Sequence, residues 1–118
     1  MLYILFEQKV GYSIYDTRTS NVVKTKSQFK IKECQTGQKQ DAIQHVVSGL
    51  GGYGYGLWSS YELDKFTRVL ENVGIYDDKN NIHYKLLSVC DNYSSVDIIN
   101  DNIDTYDDAI TMDTYWDL

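Results

Sequence analysis

Three groups of residues in this chain could carry chemistry: a glycine-rich run, two histidines with two cysteines, and a C-terminal series of aspartates. The run 49–54 (Gly-Leu-Gly-Gly-Tyr-Gly) formally matches the dinucleotide-binding pattern G-x-G-x-x-G. That pattern binds pyrophosphate where it follows a strand and opens a helix, whereas here it follows a predicted helix. We therefore expect an inter-helix loop that either displays Tyr53, Tyr55 and Trp58 for recognition or folds them into the core.

The histidines and cysteines form no recognisable catalytic or metal-binding pattern. His45 and His83 have no cysteine or carboxylate at metal-ligand spacing. Cys34 and Cys90 lie 56 positions apart, which suits neither a metal knuckle nor a disulfide framework. A cysteine–histidine nucleophile pair stays open, although the spacing does not favour it. The sequence therefore predicts no enzyme, no cofactor, no metal and no small-molecule substrate.

The aspartates are the most informative group. From Asp91 to Leu118 the chain has eight aspartates and no basic residue. On a helical projection of 95–112, the apolar residues fall within about 80° of one another and four aspartates within about 60° on nearly the opposite side. The apolar set is Val96, Ile99, Ile103, Tyr106 and Ile110, and the acidic set is Asp97, Asp101, Asp104 and Asp108.

The conformation of this acidic C-terminal segment is left open between a helix, a strand and an irregular arm. Ser94 or Ser95 would cap a helix, and Asp97 would suit the positive end of its dipole. Like charges four residues apart oppose it by a few tenths of a kcal/mol per pair. A helix from Ser95 to Met112 would therefore need its apolar face to pack on the rest of the protein.

The rest of the chain predicts an α+β fold in a single domain, 1–118, with a small antiparallel sheet and two central helices. A continuously apolar run at Leu2–Phe6 indicates a strand buried on both faces, and Lys9–Gly11 is expected to make a turn. The second helix has a capping box, Ser59 with Glu62, and Gly74 as its left-handed end. The predicted order is mainly β over 1–36, two helices over 38–74, a strand over 82–90 and the acidic segment over 91–118.

Charge is distributed unevenly along the chain. Residues 1–40 carry seven Lys/Arg against three Asp/Glu, a net +4, and residues 41–118 carry four against fourteen, a net −10, so that the whole chain has −6. Four lysines lie on predicted strands in the basic part: Lys24, Lys26, Lys30 and Lys32. They could be a solvated or edge-protecting face, a polyanion-binding patch, or counter-ions for the protein's own aspartates.

The opening Leu5-Phe6-Glu7, followed by Gly11-Tyr12, resembles the start of the N-terminal domain of the Nop ribonucleoprotein scaffold family. The resemblance covers about a dozen residues, a strand, a turn and a strand. It ends at Asp16, and no function is taken from it.

The charge pattern predicts a small acidic binding protein. Carboxylates about 5–7 Å apart imitate a phosphate backbone, so the expected partner is a nuclease or other nucleic-acid-binding protein with a basic groove. In general character the chain is similar to phage-encoded inhibitors of restriction and CRISPR nucleases, which act in the host cytoplasm. The expected partner-binding residues are the four aspartates of the acidic set, with Asp107, Asp113, Tyr53, Tyr55 and Trp58 as secondary anchors.

Two other functions are kept open. One is a protein-interaction or oligomerisation module, such as a toxin-neutralising immunity protein, whose partner binds no nucleic acid. The other is direct nucleic-acid binding through the Lys24–Lys32 face, which the overall negative charge opposes. No apolar run is long enough to span a bilayer, so no membrane partner is expected, and the oligomeric state is not predicted.

Overall fold

The structure is a computed structural model that describes residues 2–11, 13–16, 18, 21–25 and 27–118, with 13–16 and 21–25 described as backbone only. It is an α+β fold, as the sequence predicts. The strands are β1 (Leu2–Lys9), β2 (Ser13–Asp16), β3 (Asn21–Thr25), β4 (Gln28–Glu33), β5 (Ile75–Asp77) and β6 (Ile82–Val89). The helices are α1 (Gln40–Gly49), α2 (Ser60–Asn72), α3 (Ser95–Asn102) and α4 (Met112–Trp116).

Four strands form an antiparallel sheet in the order β4-β1-β6-β5, with β1 between two partners. This central position explains the continuously apolar start of the chain. Ile4 and Phe6 point to one face of the sheet and Leu5 to the other, and all three are buried. The strand buried on both faces is therefore confirmed.

The turn expected at Lys9–Gly11 is wrong. Lys9 is the last residue of β1 and pairs with Gln28 and Ile82, so β1 finds its partner in β4. Strands β2 and β3 pair with each other in a separate two-stranded sheet, so β1 does not pair with β2. Residues 12, 17, 19, 20 and 26 lie outside the described residues.

Helices α1 and α2 cover the face of the sheet to which Leu5 points, which we call the first face. Their apolar stripes meet Leu5, Tyr84 and Leu86 in one core that also holds Phe66 and Leu70. The stripes have the helical period that the sequence predicts, and the fully buried Phe66 lies at the centre of α2. This layer fixes the position of the α1–α2 loop, which carries the aromatic residues discussed below.

Both ends of α2 form as expected. The Ser59 hydroxyl accepts a hydrogen bond from the Glu62 backbone N–H, 3.3 Å away, although the Glu62 carboxylate binds Tyr115 instead of completing the capping box. At the other end Gly74 has φ +88°, and its N–H donates to the Val69 carbonyl at 2.9 Å. The reversal after Gly74 starts β5, a three-residue strand that the sequence does not predict.

Removal of the α2 cap should have a modest, local effect. We expect Ser59→Ala to lower the free energy of unfolding by about 1 kcal/mol, because the Glu62 N–H loses its acceptor. Urea denaturation measures the change. Ser60→Ala, one residue further on and exposed, is the control and should change stability by less than about 0.5 kcal/mol. Equal losses in the two variants would contradict the capping role.

The opposite face of the sheet, to which Ile4 and Phe6 point, is the second face, and it has a small core of its own. Ile4, Phe6, Gln8 and His83 lie on it and are each almost completely buried. Gln8 and His83 are directly opposite each other on β1 and β6, and the Phe6 ring packs against the rings of Phe29 and His83. This face is where the acidic segment lies.

In the described part of the chain, no helix combines the length and apolar character that a membrane crossing requires.

Candidate protein-binding surfaces

The acidic segment crosses the second face of the sheet from β1 to β5. Just after α3, the Ile103 carbonyl accepts a hydrogen bond from the Gln8 side chain of β1, at 3.1 Å. Further on, Tyr106 is close enough to Tyr76 of β5 to contribute, after burial, to raising the pKa of that tyrosine. Ile110 then pairs with Ile75 at the outer edge of β5. Hydrogen bonds thus hold the segment on the sheet at two points, Ile103 and Ile110.

The segment is helical only in part, and the single helix considered for Ser95–Met112 does not form. Helix α3 ends at Asn102, followed by a turn and a short 3-10 helix, Thr105–Asp108. The buried Asn102 amide donates back to the Ile98 carbonyl, and the Thr105 hydroxyl donates to the Asn102 carbonyl. These side-chain bonds, with the Gln8 amide on Ile103, occupy carbonyls at the end of α3 and stop the helix there.

The predicted apolar stripe is correspondingly incomplete. Ile99, Tyr106 and Ile110 are half-buried, but Val96 is 66% exposed and Ile103 is 40% exposed. The start of α3 is capped as expected, with the Ser94 hydroxyl accepting from the Asp97 N–H. The apolar periodicity therefore predicted the contact with the sheet but not its extent.

The aspartates of this segment face solvent. Five exposed residues, all on α3 and the turn and 3-10 helix after it, form what we call the α3 acidic surface: Asp97, Asp101, Asp104, Asp107 and Asp108. Within the described ranges, no ion pair or side-chain hydrogen bond engages any of these five carboxylates. The surface is therefore negatively charged, and no described residue neutralises it.

The lysines proposed as internal counter-ions are only partly described. Lys30 and Lys32 are exposed on edge strand β4, alternating with the half-buried Phe29 and Ile31 as predicted. Neither lysine pairs with the α3 acidic surface in the part of the chain that the structure describes. Lys26 and the side chain of Lys24 lie outside the described residues.

The loop aromatics belong to a separate cluster. Trp58 packs on Phe66 of the core with ring centroids 5.4 Å apart and on Tyr55 at 5.6 Å, so both residues are half-buried. Tyr53 points outward, is 42% exposed, and packs on Trp116 of α4 at 5.7 Å. Each of the two interpretations of this loop therefore holds for part of it. Tyr55 and Trp58 fold into the core, and Tyr53 is displayed at the surface.

Helix α4, which the sequence does not predict, holds the loop aromatics in place. Tyr115 is fully buried against Phe66, 5.5 Å between centroids, and its hydroxyl donates to Glu62 at 2.7 Å. Burial, and then this hydrogen bond, raise the pKa of Tyr115 above its usual range. The neighbouring Trp116 is thereby fixed beside Tyr53 and Trp58. The sequence does contain a signal for this helix: Thr111 is its N-cap, and the Thr111 hydroxyl accepts a hydrogen bond from the Thr114 backbone N–H.

Asp113 lies with this cluster and not with the α3 acidic surface. It lines a groove of about 280 Å³ between the α1–α2 loop, the 77–81 turn and α4, together with Tyr53, Tyr76 and Asp78. No hydrogen bond, ion pair or ring contact among the described residues joins this groove to Asp97 or Asp101. The structure therefore divides the predicted partner-binding residues between two surfaces.

The cysteine, histidine and glycine residues considered for chemistry include Cys34, His45 and the run 49–54, all at or near α1. Cys34 and His45 line one small pocket, but burial raises the pKa of the Cys34 thiol, which opposes a reactive thiolate. Nε2 of His45 lies 3.1 Å from the Glu7 carboxylate. The run 49–54 begins at the last residue of α1 and continues into a loop, so no α-helix begins there to receive a pyrophosphate. Among the described residues, no group of three His, Cys, Asp or Glu side chains could hold a metal ion.

Comparison of the chain with protein-family models, with curated proteins and with solved structures finds no match. The arguments below therefore depend on the contacts, burial and charge of this chain alone.

Proposed function

We propose that this chain is a small acidic binding protein that inhibits a nucleic-acid-handling protein, such as a nuclease, by occupying its basic groove. The observation that carries the proposal is the α3 acidic surface, whose five exposed carboxylates have no ion-pair partner among the described residues. A groove built for phosphates offers Lys and Arg at similar spacing. Such a protein would act in the cytoplasm, the host's if the chain is viral, by binding and not by catalysis.

The way in which the acidic segment is held supports this function. On α3, Asp97 and Asp101 are about 6 Å apart along the axis, at 1.5 Å rise per residue. The Gln8 bond to Ile103, just after α3, and the pairing of Ile110 with Ile75 attach the segment to the sheet on either side of Asp104, Asp107 and Asp108. Charges fixed in this way lose little conformational freedom when they meet a partner.

Replacement of the acidic set should abolish most of the inhibition. We expect Asp97→Asn, Asp101→Asn, Asp104→Asn and Asp108→Asn together to weaken inhibition about 30-fold, at roughly 0.5 kcal/mol for each exposed charge pair lost. The assay adds the purified protein to DNA cleavage reactions of restriction endonucleases and a guide-RNA-directed nuclease. The inhibition constant is measured at several salt concentrations, because loss of the pairs should also flatten its salt dependence.

A variant of equal net charge is the control for this experiment. Four exposed aspartates outside the α3 acidic surface can be changed to asparagine to give the same net charge as the quadruple variant: Asp41, Asp64, Asp91 and Asp117. This control should weaken inhibition less than threefold at 0.15 M salt, where the Debye length is about 8 Å. Equal losses in both variants, or no inhibition of any nuclease at low salt, would contradict a shaped phosphate mimic.

The rival functions predict different results. A toxin-neutralising or other interaction module would bind a protein without displacing nucleic acid from it. A direct nucleic-acid binder would shift duplex DNA in a gel, and that shift should weaken when Lys30 and Lys32 are changed to glutamine. The charge-mimic proposal predicts no shift at any salt concentration.

A further inference from the structure

A patch of apolar side chains is exposed around the α1–α2 loop and α4. Leu57 is 93% exposed, Tyr61 is 71% exposed, and Tyr53 and Trp116 are 42% and 44% exposed. Tyr53 and Trp116 are in ring contact, and Tyr61 lies near enough to Tyr115 to affect its pKa. We call Tyr53, Tyr61 and Trp116 the aromatic patch. Large exposed apolar side chains that cluster in this way are typical of protein-binding surfaces.

The backbone of the patch is built to hold Tyr53 outward. Tyr53 has φ +44°, a left-handed conformation that is unfavourable for a residue with a side chain. The Trp58 indole N–H donates to the Tyr53 carbonyl at 3.0 Å, which fixes this conformation. The strain is therefore maintained by contacts from the core, and the ring is pre-organised on the surface.

The charge beside the patch specifies its partner. The groove next to Tyr53 is lined by the exposed carboxylates of Asp78 and Asp113 and by the Tyr76 ring, and Lys79 also lines it. Within the described chain, Asp78 and Asp113 form no ion pair. Asp77, also in the lining, is buried and already accepts hydrogen bonds from Lys79 N–H and Asn80. Two carboxylates and two tyrosine rings thus remain for a cation.

We propose that the aromatic patch and this groove bind a protein segment in which an arginine adjoins an apolar residue. A guanidinium is planar, so it can bond to a carboxylate in the groove and stack on a tyrosine ring at the same time. The adjoining apolar side chain covers Trp116, which packs on Tyr53, and removes its apolar area from water. This surface does not use the α3 aspartates, so it goes beyond the function proposed above.

A pair of peptides tests this proposal. The probe is acetyl-Gly-Leu-Arg-Leu-Gly-amide, and its partner carries citrulline, an uncharged residue of the same shape, in place of arginine. Both tryptophans of the chain, Trp58 and Trp116, lie in or under the patch, so intrinsic fluorescence reports binding directly. We expect the citrulline peptide to bind at least tenfold more weakly. Equal affinity of the two peptides, or no binding of either up to 1 mM, overturns the proposal.

Variants locate the binding and separate it from the α3 acidic surface. Asp78→Asn with Asp113→Asn should weaken arginine-peptide binding about tenfold, and Tyr53→Gly, which relieves the left-handed strain while removing the ring, about fivefold. The quadruple asparagine variant of the acidic set should bind the peptide within twofold of the unaltered protein at 0.15 M salt. If the quadruple variant loses peptide binding and the groove variants keep it, this proposal fails while the mimic proposal stands.

Discussion

Replacing Gly74 with alanine should lower the free energy of unfolding by about 3–4 kcal/mol. Gly74 has φ +88°, and a Cβ there would lie 2.5 Å from Nε2 of His83 and 2.8 Å from the Tyr84 carbonyl oxygen. A left-handed alanine costs roughly 1–2 kcal/mol, and forcing an extra carbon into a packed site costs roughly 1–3 kcal/mol more. The backbone carbonyl cannot move without disturbing β6, so little of this cost can be relieved.

The chain contains a matched control for this experiment. Gly52 has φ +90°, almost the same as Gly74, but a Cβ at Gly52 would meet nothing within 4 Å. Gly52→Ala should therefore show only the backbone cost, and the difference between the two variants in urea denaturation gives the steric cost. In a double-mutant cycle, Gly74→Ala should cost less in the His83→Ala background than in the unaltered protein, because the nearer contact is then absent. Similar losses at Gly52 and Gly74 would show that the close approach to His83 is not important.

Lowering the pH should destabilise the protein through His83 by about 3 kcal/mol. Burial, and secondarily Lys85, lower the pKa of His83 to about 4, from an ordinary value of 6.5. The unfolded chain therefore takes up a proton at a higher pH than the folded protein does. Full stability is present above about pH 6.5 and is lost as the pH falls toward 4, because each tenfold difference in proton affinity between the two states corresponds to about 1.4 kcal/mol.

Unfolding in urea at pH values from 7 to 4 measures this effect. In His83→Leu the part of the acid dependence due to His83 should disappear. At pH 7 the variant should be within about 1 kcal/mol of the unaltered protein, because neither ring nitrogen has a hydrogen-bond partner among the described residues. His45→Gln is the control, since His45 is substantially exposed, and it should retain the acid dependence. An unchanged pH profile in His83→Leu would contradict the assignment.

Local signals in the sequence predicted the two central helices well. The apolar stripe of α2, the Ser59 cap and the left-handed Gly74 are each determined within a few residues, and all three are found. The pairing of β1 was not predicted, because its partners β4 and β6 are distant in sequence and only the register of the sheet selects them. The three-residue β5 likewise exists through its pairing with β6 and the Ile110 bridge.

The same limit applies to the candidate surfaces. The aspartate pattern predicted a charged face, but the end of α3 depends on Gln8, whose amide reaches the Ile103 carbonyl from 95 residues away. The glycine-rich run predicted a loop with aromatic residues. Which of them would be displayed depends on Trp116 and Tyr115 of α4, which approach from the other end of the sequence. The partner-binding role of these residues stays a prediction.

The attachment of the acidic segment to the sheet has a consequence for selectivity. A disordered anionic tail can adapt to any cationic surface, and its affinity for different partners therefore depends mainly on their total charge. Here the carboxylates keep the spacing that α3 and the Gln8 anchor impose. A basic surface with lysines or arginines at other intervals leaves some charges unmatched, so geometry would discriminate between partners of equal net charge.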